Sequence, residues 1–124
     1  MKENRKVVGA LGESVVIDYL KKKRYQILEQ NYRCKCGEVD IIAKDGEYIV
    51  FIEVKTRKDN DYGTPSEAVN YYKQKRIVQV AKYYMILKGQ EFNARFDVIE
   101  VFGTCAGGKL LNGRINHIKN AFWA

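Results

Sequence analysis

Glu38, Asp40, Glu53 and Lys55 are the residues whose types and spacing point to chemistry. They interrupt apolar, β-branched runs on either side of an Asp45-Gly46 pair, and those runs otherwise read as buried strands. A charge on a buried strand is costly unless it is paired or holds a metal. Asp40 and Glu53 offer carboxylate oxygens, and oxygen ligands with exchangeable water suit Mg²⁺ or Mn²⁺. Such an ion polarises a phosphate oxygen and lowers the pKa of a bound water. Lys55 shares a strand face with Glu53 and is placed to orient that water or to neutralise charge developing on phosphorus. The catalytic set on this reading is Asp40, Glu53 and Lys55. The plainer alternative is a salt-bridged hairpin, in which Lys55 pairs with Glu53 or Asp40 and adds little stability. The chain has no Ser-His-Asp arrangement, Walker loop or dinucleotide fingerprint to offer another catalytic route.

The hairpin over residues 37–55 must position this set, and its register decides whether the charges meet. Asp-Gly between apolar runs is a strong hairpin signal. A loop made of Asp45 and Gly46 pairs Lys44 with Glu47, Asp40 with Phe51 and Glu38 with Glu53. Glu38, Asp40, Phe51, Glu53 and Lys55 then share one face, with Asp40 and Glu53 as diagonal neighbours roughly 7–8 Å apart. A three-residue loop would send Asp40 to the opposite face.

Residues 6–23 read as a helix. Ala10, Val16, Ile17 and Leu20 form one apolar arc, with Val7, Leu11, Val15 and Tyr19 as a second. Glu13 falls inside the first arc, either aimed at an internal site as a third carboxylate or reaching out to solvent. Gly9 and Gly12 lower helix propensity but allow close approach. Lys21-Lys22-Lys23-Arg24 suits the negative end of the helix dipole, with a phosphate-contacting patch as the sharper alternative. Residues 25–33 read as a strand leading into the hairpin.

Residues 56–63 read as a polar loop at the mouth of the site. Thr64-Pro65-Ser66-Glu67 is a capping box with proline at the first helical position. The helix that follows breaks near Asn70-Tyr71-Tyr72 and runs to Lys88, where Gly89 stops it. Its buried stripe is Ile77, Val80, Ala81, Tyr84 and Leu87, with Lys73, Lys75, Arg76 and Lys82 outside it. Such charges form a solvated face by default, but beside a metal pocket they can track a phosphate backbone. Arg33, Arg57, Lys73, Lys75 and Arg76 are the candidate nucleic-acid contacts. Gln79 and Tyr83, one turn apart, resemble a nuclease pair too commonplace to use. Residues 95–101 form a further strand, with Asp97 structural and paired to a cation.

Cys34-Lys35-Cys36, with Cys105 and His117, has the right ligand types for zinc, but a lone Cys-x-Cys lacks the usual spacing, so free thiols are expected. His117, the only histidine, reads as exposed. Residues 103–108 read as a glycine-containing turn, and Phe122 and Trp123 as packed down.

The 124-residue length fits one domain over residues 1–124, and 46% hydrophobic with 30% charged residues fits a folded globule. Lys and Arg exceed Asp and Glu by 22 to 15, a formal charge of +7, which suits a polyanionic substrate. No apolar run reaches the length of a membrane span, and no signal-peptide core follows the basic start, so a cytoplasmic protein with no membrane association is expected.

Asp40, a spacer of twelve residues and Glu53-Val54-Lys55 resemble the PD-(D/E)xK signature of restriction-endonuclease-like nucleases, with Val39 where that signature often has proline. Gly9-Ala10-Leu11-Gly12-Glu13, Asn31-Tyr32-Arg33, Gly37-Glu38-Val39-Asp40-Ile41-Ile42-Ala43, Phe51-Ile52-Glu53-Val54-Lys55-Thr56-Arg57, Pro65 with Ala68-Val69, Arg95-Phe96-Asp97-Val98 and His117-Ile118-Lys119-Asn120-Ala121-Phe122 look like the YraN-like family. That family is one of predicted bacterial endonucleases similar to archaeal Holliday-junction resolvases. The resemblance implies an α/β fold with a restriction-endonuclease-like core, a central mixed β-sheet flanked by α-helices. It implies metal ligation by Glu13, Asp40, Glu53 and the Val54 carbonyl, with Lys55 catalytic. The expected function is a Mg²⁺- or Mn²⁺-dependent DNA endonuclease, with branched DNA as one candidate substrate. A homodimer would suit a symmetric junction, which needs two active sites. The competing expectation is a nucleic-acid-binding module that keeps the fold without cutting.

Overall fold

Residues 49–53 are buried without a break, the pattern of a strand covered on both faces. They lie in the middle strand of a five-stranded sheet. The computed structural model describes residues 5–57, 69–89, 93–106 and 109–123. Its elements are α1 (Arg5–Lys22), β1 (Gln26–Cys34), β2 (Gly37–Asp45), β3 (Tyr48–Arg57), α2 (Tyr71–Lys88), β4 (Asn93–Ala106) and β5 (Lys109–Phe122). The strands stand in the order β1-β2-β3-β4-β5. All neighbours are antiparallel except β3 and β4, which run parallel and are joined by the segment that contains α2. This is the α/β arrangement of a restriction-endonuclease-like core, a central mixed sheet flanked by helices.

Alternation along the strands divides the core in two. Ile49 and Phe51 of β3 join Ile42, Phe96 and Val98 under Ile77, Val80, Ala81 and Tyr84 of α2. Val50 and Ile52 join Ile41, Ala43, Ile99 and Val101 under Val16, Ile17 and Leu20 of α1. Each buried side chain of this size contributes about 1.5–3 kcal/mol. Ala10, expected in the apolar arc of α1, is exposed, while Leu11, Val15 and Tyr19 are half-buried.

The hairpin turn differs from the expected one. Its loop is Gly46-Glu47, with Asp45 paired to Tyr48 and Ile41 to Ile52. Gly46 has φ 59°, in the left-handed region that a two-residue hairpin loop needs at its first position. Moving the loop by one residue shifts the register by two, so every side chain keeps its face. The expected pairing of Asp40 with Phe51 is corrected: the observed register carries Asp40 directly opposite Glu53.

α2 begins at Tyr71, where the Asn70 side chain accepts a hydrogen bond from the Lys73 amide at 2.9 Å, and ends at Gly89. The expected capping box over residues 64–67 and the loop residues 58–63 lie outside the described residues, while Thr56 and Arg57 still belong to β3. Leu87, expected in the buried stripe, is exposed because α2 continues past its last buried contact at Tyr84. β4 extends to Ala106, beyond the strand expected over residues 95–101 and through most of the expected turn. Phe122 packs on Phe96 with ring centroids 5.2 Å apart, whereas Trp123 is exposed.

On the α1 side a buried polar network ties the elements together. His117 Nε2 lies 2.7 Å from Asp97 Oδ2, and its Nδ1 lies 2.9 Å from the Tyr19 hydroxyl. Arg95 donates to Asp97, to Asp45 at 2.8 Å and to the Tyr25 hydroxyl at 2.7 Å. Burial pushes the Asp97 carboxyl up, but the hydrogen bonds from His117, Arg95 and the Asn120 amide outweigh it and hold it below the usual range. His117 is therefore interior rather than exposed. It sits on the opposite face from Cys34 and Cys36, which pack against the α2 cluster as free thiols, so these residues do not form a zinc site. The Cys105 side chain lies outside the described residues.

Gly12 sets how closely α1 approaches β3. A Cβ at this position would run into Thr56 Oγ1. Gly12→Ala is expected to lower stability by about 1–3 kcal/mol through overpacking, although alanine is about 1 kcal/mol the better helix former. In a Thr56→Ala background only the Thr56 Cβ remains, at an ordinary 3.4 Å, and the same change is expected to stabilise. Urea denaturation of the four proteins checks this. A Gly12→Ala change that stabilises in both backgrounds would mean that α1 does not rest on Thr56.

Candidate active site

The regular pairing of β2 with β3 runs from Asp45↔Tyr48 to Ile41↔Ile52 and goes no further. At the next position Asp40 Oδ2 accepts the Val54 N–H at 2.8 Å. A side-chain carboxylate thus takes the place of a backbone partner, and the two strands part around it. Asp40 and Glu53 come together at this split. Lys55 follows Glu53 on the same face, with its ammonium 3.9 Å from Glu53 Oε1.

α1 brings Glu13 to the split from the other side of the sheet. Its Oε1 is buried and has no hydrogen-bond partner, the only such side-chain atom among the described residues. Burial, followed by the negative charge of Asp40 and Glu38, pushes the Glu13 carboxyl above its ordinary pKa. Glu13 is therefore aimed inward, and the close seat at Gly12, one residue earlier, brings it there.

The site carries more negative charge than its surroundings compensate. Burial, then the Asp40 charge, pushes the Glu53 carboxyl up to about 7. Asp40 is also raised, by burial, with the Val54 amide and Lys73 pulling the other way. The Lys55 ammonium is pushed below the usual lysine value by burial and by neighbouring Lys73.

Lys73 is the residue that side-chain periodicity put in the wrong place. It was expected outside the buried stripe, yet its Nζ lies 2.5 Å from Glu53 Oε1. Burial works against its charge, but the Glu53 contact outweighs that and holds its pKa above the ordinary lysine value. A sequence signal for this exists: Lys73 stands four residues before Ile77 and so extends the buried stripe by one turn. Where apolar contact ends, the same helix face meets the carboxylates.

The other candidate contacts are distributed differently. Arg57 Nε donates to buried Glu100 at 2.7 Å, and Asn116 supports the same carboxylate at 3.0 Å, so Arg57 anchors β3 to β4 and β5. Arg33 forms an exposed pair with Glu38 at 2.9 Å, of a kind worth little to stability. Arg33 and Arg76 line a cleft between the β1–β2 turn and α2, together with Lys35, Cys36 and Glu38. Lys75, Arg76 and Gln79 are exposed, and the Tyr83 ring centre lies 6.0 Å from Lys35 Nζ.

Among the described residues, no three Asp, Glu, His or Cys side chains converge on one point as a ready metal cage. The donors nevertheless fit a hard divalent ion in kind, being all carboxylate oxygens, one of them buried and unbonded. Closing them on one ion requires Glu53 to exchange Lys73 for it. No described helix is long and apolar enough to cross a membrane.

Comparison with known sequences places the chain. The profile described as uncharacterised protein family UPF0102 matches residues 12–101, which include Glu13, Asp40, Glu53 and Lys55. A UPF0102 protein of Caldanaerobacter subterraneus is 47% identical over 122 residues, 98% of each chain. One from Clostridium botulinum is 51% identical over 94% of each chain, and one from Caldicellulosiruptor bescii is 48% identical over 96% of this chain and 99% of its own. With the profile covering most of the chain and these relatives matching it nearly from end to end, the protein belongs to the UPF0102 family.

Proposed function

We propose that this protein is a divalent-metal-dependent endonuclease of the PD-(D/E)xK type that hydrolyses DNA phosphodiester bonds. The observation that carries the reading is the uncompensated carboxylate charge at the β2–β3 split. Three elements deliver Glu13, Asp40 and Glu53 to it, all three carboxyls are pushed up, and one Glu13 oxygen has no partner. A cluster built for stability would pair its charges, as Asp97 is paired on the other face. A cluster held protonation-prone and under-bonded suits a cation supplied from solution.

Glu13, Asp40, Glu53 and the Val54 carbonyl would hold Mg²⁺ or Mn²⁺. When bound, the ion supplies charge for a phosphate oxygen and acidity for a water. The remaining work falls to the chain. The Val54 N–H fixes the Asp40 carboxylate, so its second oxygen keeps a defined direction. Lys55, half-buried beside Glu53, is positioned to hold the attacking water or to meet charge on the phosphate. Lys73 neutralises Glu53 as the protein stands, and with an ion held there its ammonium would be free to meet the substrate backbone. The Lys73–Glu53 contact also favours a second reading, in which the lysine stands permanently in place of an ion and the fold binds nucleic acid without cutting it.

Duplex, single-stranded, flap and four-way-junction DNA, each with Mg²⁺, Mn²⁺ or EDTA, separate the two. Cleavage is expected with metal and not with EDTA. Asp40→Asn and Glu53→Gln are expected to abolish it, and Lys55→Met to slow it about 10²-fold or more. Cleavage that survives in an Asp40→Ala, Glu53→Ala double variant sinks the assignment. Salt-sensitive binding with no cleavage under any metal establishes the second reading.

The same carboxylates make a prediction about stability. The Glu53 carboxyl has a folded-state pKa of about 7 against 4.5 ordinarily. Between these values the native protein keeps a proton that the unfolded chain has lost. Stability in EDTA is therefore expected to fall as pH rises from 4.5 through 7 and then to level off. Glu53→Gln is expected to make that fall shallower, and Mn²⁺ to restore stability above pH 7 in the wild type only. Thermal unfolding across this pH range provides the check. An equal slope in wild type and variant would remove Glu53 from the cluster.

A further inference from the structure

Tyr71 and Tyr72 open α2 with their rings in solvent, 62% and 75% exposed. Two adjacent tyrosines are poor surface residues unless something covers them, and their position narrows what that is. Lys73, the next residue, touches Glu53 in the candidate active site. The two rings lie edge to face with centroids 5.9 Å apart, and Lys75 Nζ sits 4.8 Å from the centre of the Tyr71 ring. Tyr72 and Arg76 are four residues apart and share a helix face. Arg76 in turn lines the cleft with Arg33 and Lys35. The first turn of α2 carries no acidic residue. An aromatic step therefore adjoins the carboxylate cluster on one side and, on the other, a cleft where Arg33, Lys35 and Arg76 outnumber one acid, the Glu38 that pairs Arg33.

We infer that Tyr71 and Tyr72 form a stacking platform for an unpaired nucleotide of the DNA strand cut at the Asp40–Glu53 site, with its backbone passing along Arg76 towards Arg33 and Lys35. The inference rests on the nuclease reading and narrows its substrate. A base inside a duplex has both faces covered by its neighbours, so only an unpaired base can lie on a tyrosine ring. The positive charge around the rings matches the phosphates that must accompany such a base. The substrate class is DNA with a flap or single-stranded end at the scissile phosphate. Blunt duplex and a fully paired four-way junction are excluded as preferred ligands.

Binding in EDTA tests the platform apart from cleavage. The probe is a duplex with a single-stranded overhang carrying 2-aminopurine, whose emission falls when it stacks. The full chain is expected to quench the probe and to bind it about tenfold or more tighter than blunt duplex, in line with stacking on one or two rings. Tyr71→Ala with Tyr72→Ala is expected to abolish both effects while leaving thermal unfolding unchanged, since the rings are exposed. Tyr71→Phe with Tyr72→Phe is expected to keep both. Equal affinity for overhang and blunt DNA, or an alanine pair that still quenches and discriminates, overturns the platform and leaves the nuclease reading standing. Selective binding and quenching without cleavage in Mg²⁺ or Mn²⁺ supports the platform and overturns the nuclease. No binding to any DNA overturns both.

Discussion

The hydrogen bond from the Val54 amide to the Asp40 carboxylate is the interaction on which the site depends. In an ordinary antiparallel pair that amide would find a carbonyl across the ladder. Here the ladder stops at Ile41↔Ile52, and a side chain takes over. The exchange satisfies a backbone donor that would otherwise be orphaned, and it fixes a charged group at the point where the strands separate. The split creates room between the strands and leaves the Val54 amide paired. Glu53 and Lys55 flank Val54 on the same β3 segment, so the bond at the split also holds the strand that carries them.

Other features serve this opening. Gly12 lets α1 settle against Thr56, just beyond the split, and so brings Glu13 to it. The α2 stripe gives way to Lys73 at the point where the sheet changes from apolar to acidic. On the far face, Arg95, Asp97, His117 and Tyr19 tie β4 and β5 to α1 with their polar groups partnered. This network holds the helix that carries Glu13. One face of the sheet thus provides a satisfied polar lock, and the split beside it holds carboxylates that are incompletely satisfied.

Much of this was legible in the sequence, for reasons specific to each residue. The shared face of Asp40 and Glu53 followed from the period of two, which survives any even shift in register. The register itself was not legible, because Asp45-Gly46 and Gly46-Glu47 are equally short loops and only the left-handed Gly46 at the first position separates them. Glu13 was visible as an acid in an apolar arc, but its direction depended on how closely α1 approaches, a contact between residues more than forty positions apart. Lys73 was legible as a candidate nucleic-acid contact but not as the partner of Glu53, because a charge on a helix is assigned to solvent by default. The interior place of His117 left no local trace, since its partners Asp97 and Tyr19 come from other elements. The family profile, spanning residues 12–101, encloses the whole candidate site but leaves out His117.

The two charge clusters differ in how the fold partners their acids. Asp97 is fully buried and yet sits below the usual carboxylate range, because Arg95, His117 and the Asn120 amide give it full hydrogen bonding. Glu53 is buried too and is pushed the other way, because burial and then the Asp40 charge outweigh the contacts with Lys73 and Lys55. Burial alone therefore does not distinguish them. The difference lies in the partners the fold provides: Asp97 is fully bonded, whereas Asp40 and Glu53 are only partly offset and one Glu13 oxygen has no partner. An evolving core would replace such acids with apolar residues at a gain in stability. The acids at the β2–β3 split are therefore a cost to folding, offset only in part by the lysines beside them.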